Sequence, residues 1–198
     1  SAPWTVLLEL AGRDEAGGRA DLEGLLEQAL EDGLISDAAV AESLAQSRAL
    51  WHLRESIPLA QAEEGLNIKH DIALPVSAIP DFVRETGAAL AARLPGIRLV
   101  TFGHLGDGNL HYNVQAPEGE DAASFLAAHE SDVNALVYDA VGRHGGSFSA
   151  EHGIGALKVD ELAARKSPVA LTLMAAIRNA LDPQGILNPG RVLRGQQR

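Results

Sequence analysis

Apolar residues recur along this chain in two rhythms, every second position in short runs and every third or fourth in longer ones. Residues 4–10 alternate and read as a strand closed by Gly12, with a polar, glycine-rich link after it. From Asp21 to Asp32, Leu22, Leu25, Leu26 and Ala29 keep helical spacing, and Gly33 ends the helix. Residues 34–41 read as a short strand. Ser43 caps a helix carrying Leu44, Ser47, Leu50, Trp51 and Arg54, and Pro58 kinks it or starts another turn. A strand over 66–74 stops at Pro75, and an amphipathic helix over 77–94 opens with Pro80 and Asp81. Two apolar runs, 97–102 and 110–114, flank Asp107-Gly108 and predict a hairpin. A helix over 122–144 ends at Gly145-Gly146. Residues 147–150 form a short strand, and 158–165 and 168–181 are helices, followed by a turn at 182–185.

This order of elements predicts an α+β fold, a ferredoxin-like antiparallel sheet with helices packed on one face, plus a C-terminal helical segment. The 198 residues suit a single domain, and with 46% hydrophobic but only 4% aromatic residues the core is built mainly of Leu, Ala, Val and Ile. A net charge of −11 argues against a nucleic-acid surface. The absence of cysteine excludes disulfides and thiolate chemistry. No apolar run approaches membrane-spanning length, and no signal peptide is visible. The one methionine is Met174 and the chain opens Ser1-Ala2-Pro3, so we expect a piece excised from a longer protein.

The candidate chemistry lies in two stretches. In Phe102-Gly103-His104-Leu105-Gly106-Asp107-Gly108-Asn109-Leu110-His111-Tyr112-Asn113, a hairpin brings His104 and His111 to one end of a sheet and points His111 and Asn113 to one face. In Gly145-Gly146-Ser147-Phe148-Ser149-Ala150-Glu151-His152-Gly153-Ile154-Gly155, a carboxylate and an imidazole are adjacent among glycines. His104, His111 and Glu151 form a ligand set suited to a divalent metal, zinc or manganese, with a position left open. His152 is then free for proton transfer. Asp107 reads as a turn residue. Taken alone, Arg54 and Lys69 read as solvated surface groups, His52, His70, His129 and His144 as surface or structural, and Asn188-Pro189-Gly190 as a turn.

With these motifs in view, residues 50–193 resemble the C-terminal part of the FAD-linked oxidases. These are the flavin-dependent D-2-hydroxyacid dehydrogenases, a group that includes D-2-hydroxyglutarate dehydrogenase, D-lactate dehydrogenase and the glycolate oxidase FAD-binding subunit. The specific pieces are 103–111, 149–155 and Leu181-Asp182-Pro183-Gln184-Gly185-Ile186-Leu187-Asn188-Pro189-Gly190. The resemblance implies a metal at His104, His111 and Glu151, a base at His152, carboxylate contacts at Arg54 and Lys69, substrate near Asn113, and Asn188 on the flavin side. It also implies FAD bound mainly by a separate N-terminal domain, a small 2-hydroxy acid as substrate, and a separate electron acceptor. Residues 1–198 are then a substrate, or cap, domain, whose segment 156–198 packs on the flavin domain. Alone, such a fragment holds metal and substrate ligands but does not turn over, and pairs as a homodimer through surface the flavin domain would cover. In a bacterium it would be cytoplasmic or peripheral to the inner membrane. One departure stands out. Pro58 occupies the place where D-2-hydroxyglutarate dehydrogenases carry a threonine, which points away from that substrate specifically.

Two other readings compete. A free-standing metal-dependent hydrolase would use the same ligands and turn over alone. A non-catalytic binding domain would show no metal dependence.

Overall fold

A computed structural model describes residues 4–11 and 15–194. The chain divides into two compact units, Ser1–Gly65 and Leu66–Arg198.

In the first unit, α1 (Glu15–Glu31), α2 (Leu44–Glu55) and α3 (Ile57–Glu63) are the helices. Gly33, at φ +67°, terminates α1, and the Leu34 N–H closes back on the Ala29 carbonyl at 2.9 Å. Ser43 caps α2, its Oγ accepting the Gln46 N–H. Pro58 sits in the first turn of α3, where a missing N–H costs nothing. Two expected strands do not form. Residues 4–10 alternate, but Trp4 is 87% and Val6 75% exposed, and no described residue pairs with them. Alternation supplies a face; a strand also needs a partner. In 34–41, the Asp37 carboxylate takes the Ala38 N–H, and a run with three alanines and an Asp at its middle is poor strand material. The Gly12 expected to close the first strand lies outside the described residues.

The second unit is the α+β body. Its elements are β1 (Ile68–Ala73), α4 (Ile79–Arg93), β2 (Arg98–Phe102), β3 (Asn109–Gln115), α5 (Ala122–Arg143), α6 (Val159–Arg165) and α7 (Pro168–Leu181). The antiparallel sheet has the order β1-β3-β2. On the outer edge of β1, Ser147 makes an isolated antiparallel bridge to Ala73. Extended by that bridge, the β-α-β-β-α-β sequence follows the ferredoxin-like order, its fourth strand shrunk to one residue pair. The strand expected over 147–150 is thus a single bridge, because the chain beyond it turns toward Asp71.

Strand periodicity sorts the two faces. Ile68, His70 and Ile72 of β1 lie opposite Val114, Tyr112 and Leu110 of β3, and all six are buried. On this face pack α4, through Ile79, Phe82, Thr86 and Leu90, and α5, through residues such as Val133, Val137 and Val141. Edge-on ring contacts tie the layers together: Phe82 with Tyr112 at 5.3 Å and Tyr138 with His70 at 5.4 Å. The Asp121 side chain caps α5 by accepting the Ser124 N–H. With its apolar face covered, the sheet turns its polar face to the site.

Candidate active site

The register of β1 against β3 builds the site's floor. Lys69 lies opposite Asn113, Asp71 opposite His111 and Ala73 opposite Asn109, all on the face away from the helices. Phe102 of β2 stands opposite His111, with the rings 5.0 Å apart. His111 and Asn113, expected on one face, therefore share it with Lys69, which was singled out separately. Lys69 is exposed; Asn113 is buried.

Between β2 and β3 the hairpin closes through a 3-10 turn, Leu105–Asp107, and Gly108 at φ +78°. Gly108 is required twice. A side chain there would be strained, and its Cβ would meet the Leu74 carbonyl. His104 heads this turn with its ring exposed, and its carbonyl accepts the Asp107 and Asn109 N–H groups.

The chain from Gly146 crosses the end of β1 and brings the second motif to His111. Glu151 Oε2 lies 3.6 Å from His111 Nε2, and the His111 and His152 rings are 5.9 Å apart. The group that holds this loop in place was not singled out from the sequence. Asp71, 4% exposed, accepts backbone N–H bonds from Ala150 at 3.2 Å, Glu151 at 3.0 Å and His152 at 2.8 Å, and a side-chain bond from Asn109 Nδ2 at 3.3 Å. Its Oδ2 also faces His152 Nδ1 at 3.8 Å. Burial pushes the Asp71 carboxyl up, but the three N–H bonds and the adjacent His152 outweigh it and hold the group below its ordinary value. Lys158 donates to the Phe148 carbonyl at 2.9 Å. Burial lowers its pKa, and the Asp71 charge partly opposes that. One signal could have found Asp71: it is a carboxylate next to Ile72 in the middle of a strand, and a charge buried there needs partners.

His111 and Glu151 fit a shared divalent ion. Their 3.6 Å separation is long for a hydrogen bond but close to the roughly 3.4 Å between two tetrahedral ligands of zinc. Among the described residues, the one set of three or more such groups whose ligand atoms all lie within 4.8 Å of one another is Asp71, Glu151 and His152; neither His104 nor His111 belongs to it. Of the remaining candidates, Arg54 lies in the other compact unit, exposed in the last turn of α2. Asn188 is exposed in the C-terminal turn, in the left-handed region at φ +45°.

Comparison with known proteins identifies the family. A model of the family described as FAD linked oxidases, C-terminal domain, matches residues 1–192. The chain is 41% identical over 189 residues to the mitochondrial D-2-hydroxyglutarate dehydrogenase of Arabidopsis thaliana, a match covering 95% of this chain and 32% of that protein. It is 41% identical over 190 residues to D-2-hydroxyglutarate dehydrogenase of Xanthomonas citri pv. viticola, covering 96% and 40%. It is 36% identical over 191 residues to the mitochondrial enzyme of Danio rerio, covering 96% and 34%. The chain thus spans about a third to two-fifths of the length of these relatives.

Proposed function

Because the chain belongs to the FAD linked oxidases as a C-terminal domain of that family, we propose that it is the substrate domain of a flavin-dependent dehydrogenase oxidising a D-2-hydroxy acid to the 2-oxo acid. The observation that carries this is the convergence of Lys69, His111 and Asn113 on one polar sheet face with the Glu151-His152 loop closed over it. His104, His111 and Glu151 would hold a divalent ion, zinc or manganese, and a further domain, with Asn188 on its side, would hold most of the FAD. When bound, the ion supplies Lewis acidity at the substrate hydroxyl and the flavin supplies a two-electron acceptor.

The chain's own part is binding and proton transfer. Lys69 presents an exposed ammonium to the substrate carboxylate, and Asn113 lies directly across the strand pair from it. Arg54 offers a guanidinium for a carboxylate oxygen. His152 accepts the 2-hydroxyl proton at Nε2, since Nδ1 faces Asp71. As that proton leaves, the C2 hydrogen would depart with its bonding pair, as hydride, to the two-electron acceptor, and the C2–O bond would become a carbonyl. The names of the relatives favour 2-hydroxyglutarate as substrate; Pro58 favours another hydroxy acid. Turnover of D-2-hydroxyglutarate, D-lactate and glycolate by the full-length flavoprotein, with an artificial acceptor standing in for its separate partner, decides between them.

We also propose that 1–198 works as one cap and that 156–198 packs on the flavin domain. Among the described residues no helix is long and apolar enough to cross a membrane. If the source is bacterial, we propose a location in the cytoplasm or peripheral to the inner membrane.

Elemental analysis of the purified chain, wild type and His111→Ala, tests the metal half. About one zinc or manganese per chain, lost in the variant, is expected. No metal in either protein, even after zinc is added, overturns it.

A further inference from the structure

We propose that Asp71 is the positioning residue of this site: its carboxylate fixes the 150–152 backbone, turns Glu151 toward His111, and fixes the His152 tautomer with Nε2 as the bare nitrogen. This rests on the reading of His152 as the proton acceptor.

The geometry singles out this carboxylate. Asp71 is buried on β1 directly opposite His111, so it sits at the midpoint of the site's floor. Three successive backbone N–H groups from the loop converge on it, and Asn109 at the start of β3 supplies a fourth donor. One side chain thereby fastens both strands and the loop. Three of these donors fall on Oδ2, which leaves that oxygen no lone pair for an ion. Its remaining neighbour is His152 Nδ1 at 3.8 Å. A carboxylate facing Nδ1 favours a proton there, which leaves the Nε2 lone pair bare on a ring that is largely exposed. The imidazolium formed when His152 takes a proton also sits beside a fixed negative charge. A carboxylate that only stabilised the fold would need the backbone bonds alone.

The first measurement needs no variant. The 198-residue chain, labelled with 15N at histidine, is examined by NMR at pH 8, where a neutral imidazole reports its tautomer. We expect His152 in the Nδ1–H form, against the Nε2–H form that a free imidazole prefers. A wild-type His152 in the Nε2–H form overturns the proposal. The second measurement uses Asp71→Asn in the full-length flavoprotein. We expect kcat to fall about 100-fold with KM changed less than about threefold, metal affinity to fall about tenfold, and the tautomer to shift toward Nε2–H. Wild-type kcat together with an unchanged tautomer overturns the proposal. Should Asp71→Asn fail to fold, the wild-type tautomer still decides. His152→Ala separates the two readings. Full activity in that variant removes His152 as the base, whereas loss of activity there with a silent Asp71→Asn removes only the role of Asp71.

Discussion

His70 and Asp71 are neighbours on β1 with opposite surroundings. His70 faces the helices, with Nδ1 donating to the Tyr112 carbonyl at 2.7 Å and the Tyr138 ring edge-on. Burial lowers its pKa to about 4 from the ordinary 6.5, partly opposed by that hydrogen bond. The sign follows directly. Between pH 6.5 and 4 the unfolded chain binds the proton and the folded chain does not, so His70 makes stability fall as pH drops through that window. The loss is on the order of 3 kcal/mol. Urea unfolding at several pH values should show it, and His70→Phe should flatten that part of the profile. Asp71 and Asp182 both have lowered carboxyl pKa values, so their contributions disappear at lower pH, in the carboxylate range. The sequence marked His70 as surface or structural, of which its burial selects the second, yet passed over Asp71. A histidine draws notice by itself, but a carboxylate becomes interesting only once its four donors, up to 81 residues away, have been brought to it.

At the scale of elements, what the sequence disclosed depended on whether an element's cause was local. Caps, terminating glycines and first-turn prolines act within a few residues, and Ser43, Gly33, Pro58 and Pro80 sit where those roles place them. Helix α7 runs over 168–181 as expected, opened by Ser167 and Pro168. Strands depend on distant partners, and there the reading erred at 4–10, at 34–41 and beyond Ser147, although the strand expected over 66–74 does form as β1. The hairpin succeeded because its partner is a few residues away. Gly108→Ala should be severe, since its Cβ would strike the Leu74 carbonyl and its φ is left-handed; Gly146→Ala would strike the Ala73 carbonyl. Each should cost about 3 kcal/mol or more in denaturant unfolding, if the protein folds. Phe82→Ala removes a fully buried ring that packs on Tyr112 and should cost about 3–5 kcal/mol. Asp121→Ala, losing a cap alone, should cost about 1 kcal/mol.

For the whole molecule, the surface of α7 is the main clue to assembly. None of its residues is buried, and Val169, Leu173, Ile177 and Leu181 form an exposed stripe at four-residue spacing. A stripe of this kind is expected to be covered. In the isolated chain we expect concentration-dependent pairing by light scattering, abolished by Leu173→Glu with Ile177→Glu at little cost to the melting temperature. A wild-type chain that stays monomeric at high concentration contradicts this.

The bridge at Ser147 has one more implication. In a complete fourth strand, the amides of 150–152 would be strand amides, free to zip along the outer edge of β1 or to face solvent. Here the pairing stops after one residue, and those same three N–H groups gather on Asp71. The incomplete sheet and the loop of the candidate site are one segment of chain, so fold stability and the proposed chemistry compete for a single set of donors. Any substitution that coaxes 148–152 into regular pairing should therefore yield a sturdier and less active protein.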